Sequence, residues 1–217
     1  KFGISLSEAG RLYQVAGNLP GVRLMGVAVH IGSQIRTVGE FEPAFQRVRD
    51  LAASLRKAGQ AVERVDLGGG LGIPYEMQEA EVHGSDLIHD YADLVRTLFG
   101  GFDVELGFEP GRLIVGNAGI LLTKVVRTNA RAEKMFAVVD AAMNDLARPA
   151  IYEAFHDVMT VRAPGAAEPL PTEIVGPICE SSDTFMPDGP GGMAHLFVSI
   201  VVVLTKEGAF GSSMSST

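Results

Sequence analysis

Five short segments hold the residue types that can do chemistry. The run Val175-Gly176-Pro177-Ile178-Cys179-Glu180-Ser181-Ser182-Asp183 carries the chain's one cysteine beside a carboxylate, on a turn-prone Gly-Pro approach. A thiol with an acidic neighbour is a candidate proton donor, although a single cysteine in an apolar chain is also commonly a buried small hydrophobe. Gly68-Gly69-Gly70 removes three side chains in succession. Backbone N–H groups there can close on an anion and cradle a phosphate, or the glycines can serve a tight turn at positive φ. Ile73 stands where a dinucleotide fingerprint needs its last glycine, and no Gly-Lys-Ser/Thr follows, so neither the Rossmann nor the P-loop pattern is present.

Glu109-Pro110-Gly111-Arg112 places a carboxylate three residues before a guanidinium. The pair can be a surface ion pair of little consequence. At the carboxyl end of a strand, the carboxylate can instead hold a proton on a heterocyclic nitrogen while the arginine grips a substrate carboxylate with two donors. His30 can be a satisfied core histidine or lie flat against an aromatic cofactor, and Ser33 can serve a turn or donate to a phosphate. Arg148 and Tyr152 share a face if their segment is helical, and such a pair can bind a carboxylate or brace a loop. Histidines at 30, 83, 89, 156 and 195 lack ligand spacing and the cysteine has no partner, so no metal site is expected. There is also no Gly-x-Ser-x-Gly elbow.

The elements that must position these residues follow from apolar periodicity. Residues 22–31, 62–67 and 104–108 read as buried strands, and 40–57 and 87–99 as amphipathic helices between them. That alternation makes a parallel βαβ series, and each strand ends in one of the marked segments: His30 to Gln34, the glycine triplet, then Glu109 to Arg112. Ligands bind at the carboxyl ends of parallel strands, so these segments sit where a site belongs. Beyond Arg112 the texture changes. Residues 121–126, 136–139, 173–175 and 196–204 read as strands without long helices, with Pro/Gly-rich loops at 163–171 and 187–192. The expected division is an α/β portion over residues 1–117 and a mainly β domain over 118–217.

Charge narrows the partners. With 26 acidic against 18 basic residues and a net charge of -8, the chain lacks the basic face that nucleic acid or an anionic membrane demands. The apolar run at 196–204 is about half of the roughly 20 residues a membrane helix needs. No signal peptide is expected, and one cysteine suits a reducing cytoplasm. Small molecules and proteins remain as partners.

Taken in order, the His30-Ile31-Gly32-Ser33-Gln34-Ile35 segment, Asp66 to Tyr75, Glu109-Pro110-Gly111-Arg112, Met143 to Tyr152 and Gly176 to Asp183 closely resemble the diaminopimelate decarboxylases. These belong with ornithine and arginine decarboxylases in the alanine-racemase-like fold. The resemblance covers essentially the whole chain. It implies a pyridoxal 5'-phosphate enzyme built as a partial (β/α)8 barrel followed by a β domain, working in lysine biosynthesis as a homodimer whose active site is shared across the interface. It implies that His30 stacks on the pyridine ring, and that Ser33, Gly68, Gly69, Gly70 and the Glu109, Pro110, Gly111 and Arg112 stretch bind the cofactor. Glu109 would keep the ring nitrogen protonated. Cys179 would protonate carbon from the partner subunit, and Arg112, Arg148, Tyr152 and Glu180 would hold the substrate, the arginines suiting a diacid. The resemblance also implies a cofactor-bearing lysine upstream of Lys1, which leaves this fragment inactive by itself. Phe210 stands where the family carries tyrosine. Two alternatives share the fold: a decarboxylase for another basic amino acid, and a non-catalytic homologue acting as a binding or regulatory partner.

Overall fold

The computed structural model describes residues 3–75, 77–131, 134–156, 158–161, 171–186 and 201–205; for 77–85, 186 and 201–205 the backbone alone is described. The expected loop at 187–192, most of the one at 163–171, and Phe210 lie outside the described residues. The chain divides into two compact units, Lys1–Gly72 with His83–Pro110, and Ile73–Val82 with Gly111–Thr217.

The first unit is built on three parallel strands, β1 (Gly26–Ala28), β2 (Arg64–Asp66) and β3 (Glu105–Gly107), in the order β1-β2-β3. Val27 pairs with Val65 and Val65 with Leu106. The strands are shorter than their apolar runs predict. β1 is paired only along Gly26–Ala28, whereas Val22, Met25 and Ile31 lie outside the ladder and are exposed. Two helices precede and follow β1: α1 (Leu6–Gly17), which the periodicity did not indicate, and α2 (Glu42–Lys57). Helix α2 buries Phe45, Val48, Ala52 and Leu55, the stripe its spacing predicts. Its end is sealed by Gly59 at φ 81°, where Gly59 N–H donates to Arg56 O and Gln60 N–H to Leu55 O. These are the two bonds of a Schellman ending, which needs a residue free to adopt positive φ. The third helix, α3 (Met77–Phe99), begins ten residues before the predicted start. Phe41, Phe45 and Tyr91 meet pairwise with ring centroids 5.1–5.6 Å apart and form the centre of this unit's core.

The second unit contains the short helices α4 (Gly111–Val115) and α5 (Arg148–Tyr152) and a six-stranded sheet. Its strands are β4 (Ile120–Ala130), β5 (Met135–Val139), β6 (Val158–Thr160), β7 (Thr172–Val175), β8 (Thr184–Met186) and β9 (Val201–Thr205), in the order β6-β9-β4-β5-β7-β8. Strands β4 and β5 are antiparallel with Val125 opposite Val139, and β5 runs parallel to β7 with Ala137 opposite Ile174. Alternation along β5 sends Met135, Ala137 and Val139 inward against Val125, Leu146, Ile174 and Phe185. Strands β6 and β8 were not foreseen, being too short for a two-residue period to register.

Candidate functional site

In the first unit the marked segments converge at the carboxyl ends of β1, β2 and β3. The strand ends are stitched by backbone bonds: Val29 N–H to Asp66 O, Leu67 N–H to Gly107 O, Glu109 N–H to Gly68 O and Ile35 N–H to Gly70 O, all 2.8–2.9 Å. The glycine triplet lies in the middle of this seam. A Cβ on Gly68 would fall 2.3 Å from Val29 O, one on Gly69 2.1 Å from Glu109 O, and one on Gly70 2.4 Å from Gly32 O. Side chains are excluded at all three positions by backbone. Gly68 and Gly70 also adopt φ of 68° and 109°, a region that L side chains rarely enter. Asp66, to which sequence reasoning assigned no role, accepts the Gly68 N–H at 2.9 Å and thereby fixes the turn.

The triplet also orients a catalytic candidate. Gly69 N–H donates to His30 Nδ1 at 3.3 Å, which fixes the plane of an exposed imidazole. Glu109 projects from the end of the β3 segment and is exposed, as is Ser33 on the bend after β1. That bend holds Gln34 at φ 60°, an uncommon left-handed conformation for a residue with a side chain. A cavity of about 1020 Å³ in this unit has His30 and Glu109 on its wall together with Val27, Val29 and Tyr13. Its wall is otherwise mostly apolar, from α1, β1 and α2, and does not include Ser33 or the glycine triplet. The residues present fit a phosphorylated pyridine: a part-exposed Gly70 backbone and the exposed Ser33 hydroxyl for the phosphate, an imidazole plane, and a carboxylate for a ring nitrogen. Pro110 is the last residue of this unit.

The second unit gathers the other candidates around a residue that sequence reasoning passed over. Gly111 and Arg112 open α4, and Arg112 Nη1 donates to the phenol oxygen of Tyr75. The Arg112 and Arg148 guanidinium groups lie over the Tyr75 ring at 5.7 and 5.6 Å, and Arg148 also lies 5.6 Å from the Tyr152 ring centroid. Arg148 and Tyr152 are the first and last residues of α5, so the helical reading of that segment holds. Buried His156 meets Tyr75 edge to face at 5.5 Å. Burial pushes the Arg148 pKa down from its ordinary value; the neighbouring Tyr75 pulls it back up, Arg112 pushes it down, and Tyr152 pulls it up. Its Nε is buried without a hydrogen-bond partner among the described residues.

Cys179 and Glu180 lie on the exposed loop between β7 and β8. The Glu180 carboxyl is held below its ordinary value chiefly by the Ser181 hydroxyl, then by the backbone N–H groups of Ser182 and Ser181. Glu180 is an exposed carboxylate, a group suited to an ammonium. The loop is closed by Gly176 N–H donating to Asp183 O at 2.9 Å. Among the described residues no cluster of three His, Cys, Asp or Glu side chains could hold a metal, and no helix is long and apolar enough to cross a membrane.

Residues 1–116 match the family described as pyridoxal-dependent decarboxylase, pyridoxal binding domain. The chain belongs to the pyridoxal-dependent decarboxylases. It is 42% identical over 216 residues to a diaminopimelate decarboxylase of Pseudomonas fluorescens, covering all of this chain and 50% of that one. The solved diaminopimelate decarboxylase of Helicobacter pylori complexed with L-lysine superposes with a TM-score of 0.88 at 36% identity, over 99% of this chain and 52% of that one. The structure of SrLDC in complex with PLP and cadaverine gives 0.86 at 25% identity, over all of this chain and 55% of the other. The chain spans about half the length of the curated relatives it matches. The fold class is that of the pyridoxal-phosphate decarboxylases, with the α/β elements of a partial barrel followed by a mainly β portion.

Proposed function

We propose that this chain works within a pyridoxal-phosphate-dependent enzyme that decarboxylates meso-2,6-diaminopimelate to L-lysine, as the relatives' names suggest. The observation that carries the reading is the glycine triplet, packed too tightly against the ends of β1 and β3 to bear any side chain. Residues 1–117 are assigned to the pyridoxal-binding barrel and 118–217 to the β domain. When bound, pyridoxal phosphate supplies the electron sink that lets a carboxylate leave as carbon dioxide.

The chain's own residues then have separate tasks. Gly68, Gly69 and Gly70, with Ser33 and the Pro110 to Arg112 stretch, bind the cofactor; since the Gly68 and Gly69 N–H groups serve Asp66 and His30, the phosphate donors come from Gly70, Ser33, Gly111 and Arg112. His30, its plane set by Gly69, packs on the ring, and Glu109 keeps a proton on the ring nitrogen. Arg112 and Arg148, with Tyr152, receive a substrate carboxylate. Glu180, an exposed carboxylate, receives an ammonium. Cys179 delivers a proton to the carbon that lost carbon dioxide, acting from one copy of a homodimer into the site of the other. A cytoplasmic address suits such an enzyme.

Substrate choice tests the reading. The full-length protein, supplied with pyridoxal phosphate, is expected to turn over meso-diaminopimelate in preference to ornithine, arginine and lysine. The arginine pair suits a second carboxylate, whereas the three competitors present a cation at that end. Preference for any of the three would transfer the protein to a sister activity, and turnover of none would favour a non-catalytic homologue.

A further inference from the structure

We propose that Tyr75 is a positioning residue that sets specificity for the substrate's second carboxylate by holding Arg112 and Arg148 as a pair; this rests on the functional reading above. Two guanidinium groups share one phenol. Arg112 donates to its oxygen, both guanidinium groups lie over its ring, and the ring is backed edge-on by buried His156. Like charges so placed repel, and Arg148 carries the consequence: burial and the Arg112 charge both disfavour its protonated form. Among the described residues no carboxylate forms an ion pair with Arg148, and its buried Nε has no hydrogen-bond partner. The arrangement sets the Arg148 guanidinium against two aromatic rings and leaves its charge available to an anion.

The role differs from that of the arginines. The Tyr75 oxygen accepts from Arg112 and keeps its own O–H to donate to an incoming carboxylate, and its ring offers both cations an electron-rich face without neutralising them. An aspartate in the same place would hold the arginines equally well but would occupy the ligand's position. A phenol organises the pair and leaves the Arg148 charge for the substrate.

The test uses the full-length holoenzyme and two variants. Tyr75→Phe keeps the ring and removes the oxygen; Tyr75→Leu removes both. For Tyr75→Phe the KM for meso-diaminopimelate is expected to rise about tenfold with kcat within about twofold, the loss of one hydrogen bond to a charged group. Tyr75→Leu should raise KM further. Inhibition by L-lysine, which keeps the carboxylate that does not react, should weaken in parallel in Tyr75→Phe, whereas inhibition by cadaverine, which has no carboxylate, should be unchanged. An unchanged KM in both variants would overturn the proposal, and so would a parallel weakening of cadaverine binding, which marks general damage to the site. If the wild-type holoenzyme turned over no meso-diaminopimelate, the functional reading would fail first and this proposal with it.

Discussion

The Asp183 carboxylate accepts the backbone N–H of Met143 at 2.6 Å, and so ties the loop that carries Cys179 to the segment that leads into α5. Its other oxygen accepts the Ile178 N–H at 2.8 Å, and the side chain is 2% exposed. The fit leaves no slack on the opposite side, where a Cβ on Gly176 would stand 2.2 Å from Asp183 Oδ2. The 176–183 loop is therefore a registered part of the fold.

Removing that carboxylate should loosen the loop. Asp183→Ala leaves two part-buried N–H groups without their acceptor, for a loss of about 1–2 kcal/mol, and Asp183→Asn should fall between it and the wild type because one acceptor oxygen survives. Urea denaturation of the full-length protein, compared at constant m-value, reads the order directly. A midpoint for Asp183→Ala equal to that of the wild type would contradict this account of the loop.

Glycine substitutions should separate by what surrounds each position. Gly69→Ala drives a methyl into the Glu109 carbonyl and should weaken pyridoxal phosphate binding at least about tenfold, with loss of stability, as an overpacked seam of backbone must open. Gly10→Ala, in the middle of α1 with nothing within 4 Å of its Cβ position, should instead stabilise by about 0.5–1 kcal/mol. Cofactor titration followed by visible absorption, together with thermal melting, distinguishes the two.

Acid should expose a third relationship. Asp140 accepts the Lys124 N–H at 2.9 Å and the Thr123 hydroxyl at 2.7 Å, and these bonds, the Lys124 N–H foremost, hold its carboxyl below the ordinary carboxylate value. A carboxyl depressed in the folded state stabilises the fold fully above its unfolded pKa of about 3.9, and that contribution disappears as pH falls through the folded value. Asp140→Asn should thus be less stable than wild type at neutral pH and converge with it below about pH 4. Stability curves that stay parallel down to pH 3 would show that Asp140 contributes nothing through its charge.

The sequence carried the parts of this molecule that depend on local chemistry. The stripe Phe45, Val48, Ala52, Leu55 located α2 to within two residues of its start, and the three strand-end segments lie together, as a parallel series requires. Other features depended on partners distant in the chain. Helix α1 has only Ala9 and Tyr13 buried, too narrow a stripe to register, and Gly10 interrupts it. The 22–31 run is apolar throughout, but its ladder stops where β2 stops. Tyr75 and Asp183 sat inside quoted motifs without roles. Each has a contact 37 or more residues away along the chain, Tyr75 to Arg112 and Asp183 to Met143. Spacing along a sequence does not encode such contacts.

The most direct test of the central claim is titration of the full-length protein with pyridoxal phosphate, followed at each point by visible absorption and by carbon dioxide released from meso-diaminopimelate. Absorption that saturates, with carbon dioxide and L-lysine appearing one for one and only when cofactor is present, is the predicted result. No saturable absorption, or saturation without carbon dioxide, would contradict it.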